Sequence, residues 1–281
     1  MPNLNTEMID GPEARAAQQT ADRFGEPGFN DPAAFFIAQR YEGYSEENQE
    51  TWQTLYDRQM DFLADRASNV YLDGARAINL VRDHIPHLEG ERSINRFLGD
   101  LTGWQSRAVP GYLPAKAFFA CLAERSFPTT IVIRSKEAID YLPEPDIFHD
   151  VFGHVPLHAD PVFADFLQTY GRAALSTSDP DDMTRLARLF WFTVEFGLIR
   201  EDSRLKLYGS GLISSPGESR HALESEDVER RPFDLDRVCD THFEIDEFQP
   251  ILYVLESFEQ LRDGMNDYAN RILEKNGVTT A

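Results

Sequence analysis

The stretch from Glu144 to Gln168 reads EPDIFHDVFGHVPLHADPVFADFLQ; it sets His149 and His154 five positions apart, with Asp150 after the first and Gly153 before the second. An α-helix advances about 100° per residue, so five positions separate two side chains by roughly 140°. An undistorted helix cannot aim both rings at one atom. Gly153 can end or distort a helix and Pro156 blocks its ordinary continuation, which lets the second ring swing back toward the first. Ile147, Phe148, Val151, Phe152 and Val155 surround the pair. Neutral imidazoles in such a setting need a partner for each nitrogen, and a metal ion supplies one. The plainer alternative is a pair of surface or satisfied core histidines, since the chain has seven in all.

A third group points the same way. Glu195 stands alone in RLFWFTVEFGLI, flanked by apolar residues, and a carboxylate there is costly to bury unless it is paired or coordinating. Two neutral histidines and one carboxylate form the facial set that holds ferrous iron with three positions open. Zinc uses the same donors in hydrolases. The zinc-protease signature, however, needs histidines four apart with Glu directly after the first. Here the interval is five and the neighbour is Asp150, so that signature fails while both metals remain open.

Outward from this stretch the chain reads as helix-rich. ENQETWQTLYDRQMDFLADRAS, RSINRFLGDLTGW, LPAKAFFACLAERSF and DPVFADFLQTYGRAAL carry apolar residues at helical spacing, and so does DPDDMTRLARLFWFTVEFGLIRE, which the pattern extends through Glu201. A last helix runs through FEQLRDGMNDYANRILEKNG. Thr129–Arg134 (TTIVIR), RLKLYG and FEIDEFQPILYVLES read as strands. The expected fold is mainly α with a minor β component, in one domain spanning 32–281 after a polar tail of residues 1–31. Ser214 to Arg231 reads as the longest loop.

A hydrophobic content of 42% with 12% aromatics is ordinary for a globular chain. The formal charge of -21 repels phosphate backbones and anionic bilayers, so a small-molecule or protein partner is expected, with no nucleic acid and no membrane. The N-terminus lacks the basic and apolar regions of a signal peptide, and a cytoplasmic location is expected. Cys121 and Cys239 sit in apolar surroundings and are read as inert buried thiols.

Four blocks together resemble the tetrahydropterin-dependent aromatic amino acid hydroxylases: YLPEPDIFHDVFGHVPL, WFTVEFGL, YGSGLISSPGE and EFQPILYVLESF, in that family's order and near its spacing. The resemblance is closest to the bacterial phenylalanine 4-hydroxylases. It implies a mostly helical catalytic domain with one ferrous iron, a reduced tetrahydropterin cosubstrate, dioxygen and an aromatic amino acid. By that likeness His149, His154 and Glu195 are iron ligands and Arg134 clamps the substrate carboxylate. Trp191 and Pro145 line the substrate pocket, and Ser214 contacts the amino acid backbone end. Phe118 stacks on the pterin, Gly111 and Leu113 touch it through their backbone, and Asp150 takes the place of a glutamate near it. Taken alone, Arg134 would be a surface residue, Trp191 and Phe118 core, and Ser214 a turn residue.

Two positions depart from the pattern of the animal members: Leu142 replaces a Thr or Ser near the substrate, and Pro128 a histidine near the pterin. Both resemble the shorter bacterial branch, which implies a monomer without allosteric activation by substrate. Phenylalanine 4-hydroxylation is the expected activity, with tryptophan 5-hydroxylation the alternative in the family and a zinc-dependent hydrolase the alternative outside it. His158 is watched as a fourth metal ligand, with a solvent-facing role preferred.

Overall fold

The computed structural model describes residues 31–111, 113–140, 145–245 and 247–276. After a 3-10 turn at Pro32–Phe35, helix α1 spans Glu46–Leu63. Ser45 caps it by accepting Asn48 N while the Asn48 side chain accepts Ser45 N, so two otherwise orphaned amides are satisfied at once. Its buried residues Trp52, Leu55, Gln59 and Leu63 recur every three or four positions and fix the face it turns inward. Helix α2 (Asn69–Ala77) is too short to announce itself by periodicity. Helix α3 (Ile94–Leu101) then leads into β1 (Gln105–Val109), helix α4 (Ala115–Ala123) and β2 (Ser126–Thr130). β1 and β2 pair in parallel from Gln105↔Ser126 to Val109↔Thr130, with α4 as the crossover that parallel pairing requires.

The expected strand Thr129–Arg134 is therefore displaced toward the N-terminus. Beyond Thr130 the backbone leaves the sheet and binds the histidine stretch: Ile147 N donates to Val132 O at 2.8 Å, and Arg134 N to Asp146 Oδ2 at 3.0 Å. Residues 148–154 form a π-helical segment, and Val155–Ala159 a 3-10 turn opened by Pro156. Helix α5 (Pro161–Leu175) is capped by Asp160, whose side chain accepts Phe163 N. Helix α6 (Pro180–Phe190) is capped by Asp179. The expected continuation of α6 to Glu201 is corrected. The chain passes into a second π segment at Trp191–Glu195, turns at Gly197 and becomes β3 (Leu198–Glu201).

β3 and β4 (Arg204–Leu207) form a hairpin whose two turn residues, Asp202 and Ser203, have φ of 49° and 64°. A two-residue turn with both central φ positive matches the twist of the strands it joins. Helices α7 (Ser210–Ser214) and α8 (Pro216–Glu224) and strand β5 (Glu229–Pro232) follow, so the expected loop from Ser214 to Arg231 is mostly regular structure. Helix α9 (Leu235–Asp240) precedes β6, which occupies only Ile251–Leu255 of the longer expected strand. Pro250 and the turn residues before it interrupt the pattern. Helix α10 (Phe258–Lys275) closes the described chain. The second sheet has the order β4-β3-β6-β5, antiparallel at β4/β3 and parallel elsewhere.

The fold is mainly helical with these two small sheets. Phe148 and Phe152, on the first π segment, are fully buried and stacked at 4.5 Å, with Trp52 of α1 edge-on to Phe148. The histidine stretch thus runs through the centre of the core. None of the described helices is long and apolar enough to cross a membrane. The expected tail lies outside the described residues except for Asp31, and Leu142 lies outside them as well.

Candidate active site

The geometric problem of two histidines five apart is solved by the π segment. Its i→i+5 ladder puts roughly one more residue into the turn, so side chains five apart return to the same face. Nε2 of His149 and Nε2 of His154 lie 3.1 Å apart. The second π segment brings in Glu195: Oε1 stands 3.2 Å from His154 Nε2 and Oε2 3.7 Å from His149 Nε2. Three donors on one face of an octahedron, each about 2.1 Å from a central ion, are separated by roughly 3 Å. The observed edges fit such a face. Side-chain exposures of 20%, 3% and 16% for His149, His154 and Glu195 leave the donors reachable from one side.

Gly153 sets how closely the first π segment meets α7. A Cβ there would stand 3.0 Å from Ser210 O and 3.2 Å from Ser210 Cβ, tighter than packing normally allows. Through this approach two serines reach the donors. Ser214 Oγ donates to Ser210 O at 2.8 Å, so its oxygen accepts from His149 Nδ1–H at 2.8 Å. That fixes the tautomer with the Nε2 lone pair free. Ser210 Oγ donates to Glu195 Oε2 at 2.7 Å. Burial holds the His149 imidazolium down to about 4 despite the Glu195 carboxylate beside it. Burial also pushes the Glu195 carboxyl up, but His154, His149 and the Ser210 hydroxyl outweigh it and hold the group at about 2. A neutral His149 and an ionised Glu195 are the forms a divalent cation needs.

Asp150 offers a second carboxylate, with an oxygen within 4.8 Å of the two imidazoles. Glu195 reaches both imidazoles at 3.2 and 3.7 Å, and Asp150 already accepts Thr130 N on Oδ2 at 2.6 Å. Glu195 is therefore the better third donor. Burial raises the Asp150 carboxyl to about 7, against the pull of His154 and the Thr130 amide.

The donors open into a cavity lined by Val109, Gly111, Leu113, Phe118, Phe127, Pro128, Thr130, Pro145, Asp150 and Phe190. Of the residues singled out in the sequence, this cavity unites Gly111, Leu113, Phe118, Pro145 and Asp150 with the three donors. Arg134, Trp191 and Ser214 stand outside its lining. Arg134 is buried, and its Nε and Nη2 form a two-pronged bond with Asp146 at 2.8 and 2.9 Å. Asp146 Oδ1 also accepts His149 N at 3.0 Å, so one carboxylate ties the guanidinium to the first donor. Burial opposes both charges of this pair, yet each holds the other ionised. Trp191 stacks on Phe243 at 4.5 Å, and its buried Nε1 has no partner among the described residues. His158 is fully buried, stacked 4.8 Å from Trp104 and packed 4.9 Å from Phe127, which corrects its expected solvent-facing role.

Sequence reasoning missed Ser210, Asp146, Thr130, Phe127 and Phe190. Ser210 and Ser214 do carry a signal, since their four-residue interval stacks both hydroxyls on one helical face. Asp146 sits three residues before His149, where a side chain accepts a helix-opening amide.

A family profile described as biopterin-dependent aromatic amino acid hydroxylase matches residues 39–279. Over 229 residues the chain is 44% identical to a phenylalanine-4-hydroxylase of Ralstonia nicotianae, covering 82% of this chain and 72% of that protein. It is similar to the crystal structure of Chromobacterium violaceum phenylalanine hydroxylase with bound iron(III) and oxidised 7,8-dihydrobiopterin. The TM-score is 0.81 and the identity 38%, over 94% of this chain and 96% of that one. The iron- and phenylalanine-bound form of the same protein matches at a TM-score of 0.78 and 39% identity, over 88% and 91% of the two chains.

Proposed function

The chain belongs to the biopterin-dependent aromatic amino acid hydroxylases, and from that premise we propose that it converts L-phenylalanine to L-tyrosine with dioxygen, ferrous iron and a reduced tetrahydropterin. The observation that carries the reading is the triangle of His149 Nε2, His154 Nε2 and the Glu195 carboxylate, with edges of 3.1, 3.2 and 3.7 Å, opening into an aromatic cavity. When bound, iron and reduced pterin supply the activation of dioxygen that hydroxylation of an aromatic ring requires.

The chain's own residues hold and orient. His149, His154 and Glu195 are the iron ligands, with Ser214 and Ser210 fixing the first and the third. Phe118 presents its ring to the pterin, and Gly111 and Leu113 their backbone. Asp150 keeps one oxygen on Thr130 N and would meet the pterin from the cavity lining. Arg134, locked by Asp146, has in Nη1 a nitrogen with no hydrogen bond among the described residues, which would take the substrate carboxylate, and Trp191, Pro145 and Ser214 would shape the substrate side. Val109, Phe127 and Phe190 exclude water. Residues 32–281 form the catalytic domain of a monomeric, cytoplasmic enzyme.

Product analysis with phenylalanine, tyrosine and tryptophan supplied together, plus iron(II) and reduced pterin, tests the activity. Tyrosine formation is expected; a preference for 5-hydroxytryptophan overturns the substrate, and hydrolysis supported by zinc alone overturns the chemistry. Glu195→Gln should keep the fold by circular dichroism while losing iron and hydroxylation. Full iron occupancy and full turnover in that variant would refute the ligand assignment.

A further inference from the structure

Phe35 belongs to no element that carries a donor. It ends the 3-10 turn at Pro32–Phe35, which Asp31 caps through Ala33 N at 2.8 Å. Its side chain is 2% exposed and packs with Val109 and Ala117 in a small cluster separate from the main core, with Phe36 and Leu113 at the margin. Val109 and Leu113 also line the cavity. Phe35 and Phe36 thus share one cluster with two residues of the cavity lining. The segment is held in place from two further directions: Ile37 N donates to Ala108 O at 2.9 Å, and the Arg107 guanidinium lies over the Phe36 ring at 5.6 Å.

We propose that Phe35 is a positioning residue for pterin binding: by packing with Val109, Leu113 and Ala117 it sets the spacing of the cavity lining that includes Val109, Leu113 and Phe118. This rests on the reading above that Gly111, Leu113 and Phe118 face the pterin. Removing the ring opens a void in this cluster, and Val109 and Leu113 relax into it instead of keeping their spacing. The iron ligands do not feel the change, because they are held by the π segments and α7 within the main core. Phe35 belongs to this satellite cluster and not to the main core that holds the ligands.

The test is calorimetric binding of 7,8-dihydrobiopterin to the iron-loaded full chain, for wild type, Phe35→Leu, Phe35→Ala and Phe118→Ala, together with iron content and the KM for pterin and for phenylalanine. Phe35→Ala should weaken pterin binding about tenfold and raise the pterin KM in parallel, with iron content and phenylalanine KM unchanged. Phe35→Leu should recover most of the loss. If Phe118→Ala weakens binding while both Phe35 variants bind as wild type, the positioning role is overturned and the pterin site stands. If neither Phe118→Ala nor Phe35→Ala alters pterin binding, the assignment of this lining to the pterin falls, and the role of Phe35 with it. A loss of iron and of phenylalanine affinity equal to the loss of pterin affinity marks a merely structural residue and also overturns the proposal.

Discussion

The Ser214 hydroxyl has one proton, and Ser210 O takes it; what remains for His149 is an acceptor, and that acceptor chooses the tautomer. Ser214→Ala removes the choice without opening a large void. Iron affinity should fall about 10- to 100-fold, with little change in thermal stability, as metal titration of the apo-protein would reveal; unchanged affinity would show the bond to be incidental. A second residue-scale expectation concerns Glu218 on α8, whose carboxyl burial pushes up to about 7 from 4.5. A carboxylate raised on folding destabilises the folded form once ionised. The cost is absent below pH 4.5, grows as pH rises toward 7 and is complete above it. Because the group is partly open to solvent, screening leaves about 1 to 2 kcal/mol. Glu218→Gln should therefore unfold at a higher temperature than wild type at pH 8, and the gap should narrow steadily between pH 7 and 4.5. A gap independent of pH would rule out this account. At this scale the three donors were legible in the sequence, because a lone acid among apolar residues and two histidines around a Gly are chemically expensive. Their serine and Asp146 partners were not, because a hydroxyl or an acid near a helix start is common.

At the scale of elements, the two π segments set the donor geometry, and each has a closely packed glycine, tight at Gly153 and closed to any side chain at Gly197. Beyond the second segment, a Cβ on Gly197 would meet Tyr208 Cζ at 2.0 Å and Thr193 O at 2.4 Å, and Tyr208 is fully buried. Gly197→Ala should destabilise the protein by about 3 kcal/mol or more and lower iron occupancy, since the turn that ends at β3 also carries Glu195. Gly99, on the exposed side of α3, is the contrast: no atom lies within 4 Å of its would-be Cβ, and Gly99→Ala should stabilise by about 0.5 to 1 kcal/mol. Denaturant melts of the two variants decide the matter, and equal effects would refute it. Capped helices such as α1 and α5 were readable because their periods and cap residues are local. The continuation of α6 was misread because Trp191 to Ile199 is apolar apart from Thr193 and Glu195, and a largely apolar run does not distinguish a helix from a π turn followed by a buried strand.

For the whole molecule, a charge of -21 means that the compact state repels itself. The ion pairs that offset this, such as Arg82–Asp57 and Arg185–Asp236, involve partly exposed groups and contribute little individually. Screening should relieve the repulsion more than it weakens the pairs. The melting temperature is expected to rise by several degrees between roughly 20 mM and 500 mM salt, where the Debye length falls from about 20 Å to below 5 Å. A fall over the same range would mean that the exposed pairs dominate. The placement of the first π segment also belongs to this scale, since α1, β2 and α7 all pack against it.

The sequence by itself determined the helical content, the acidic surface and the chemistry of the donors, because each follows from residue types and short spacings. Only the tertiary structure decided that His149 and His154 converge through a π segment, that α7 supplies the hydrogen-bonding partners of His149 and Glu195, and that Phe35 packs with Val109 of the cavity lining. The physical reason is distance along the chain. Ser214 is separated from His149 by sixty-five residues and Phe35 from Val109 by more than seventy, and no local propensity encodes a contact that depends on how whole elements pack.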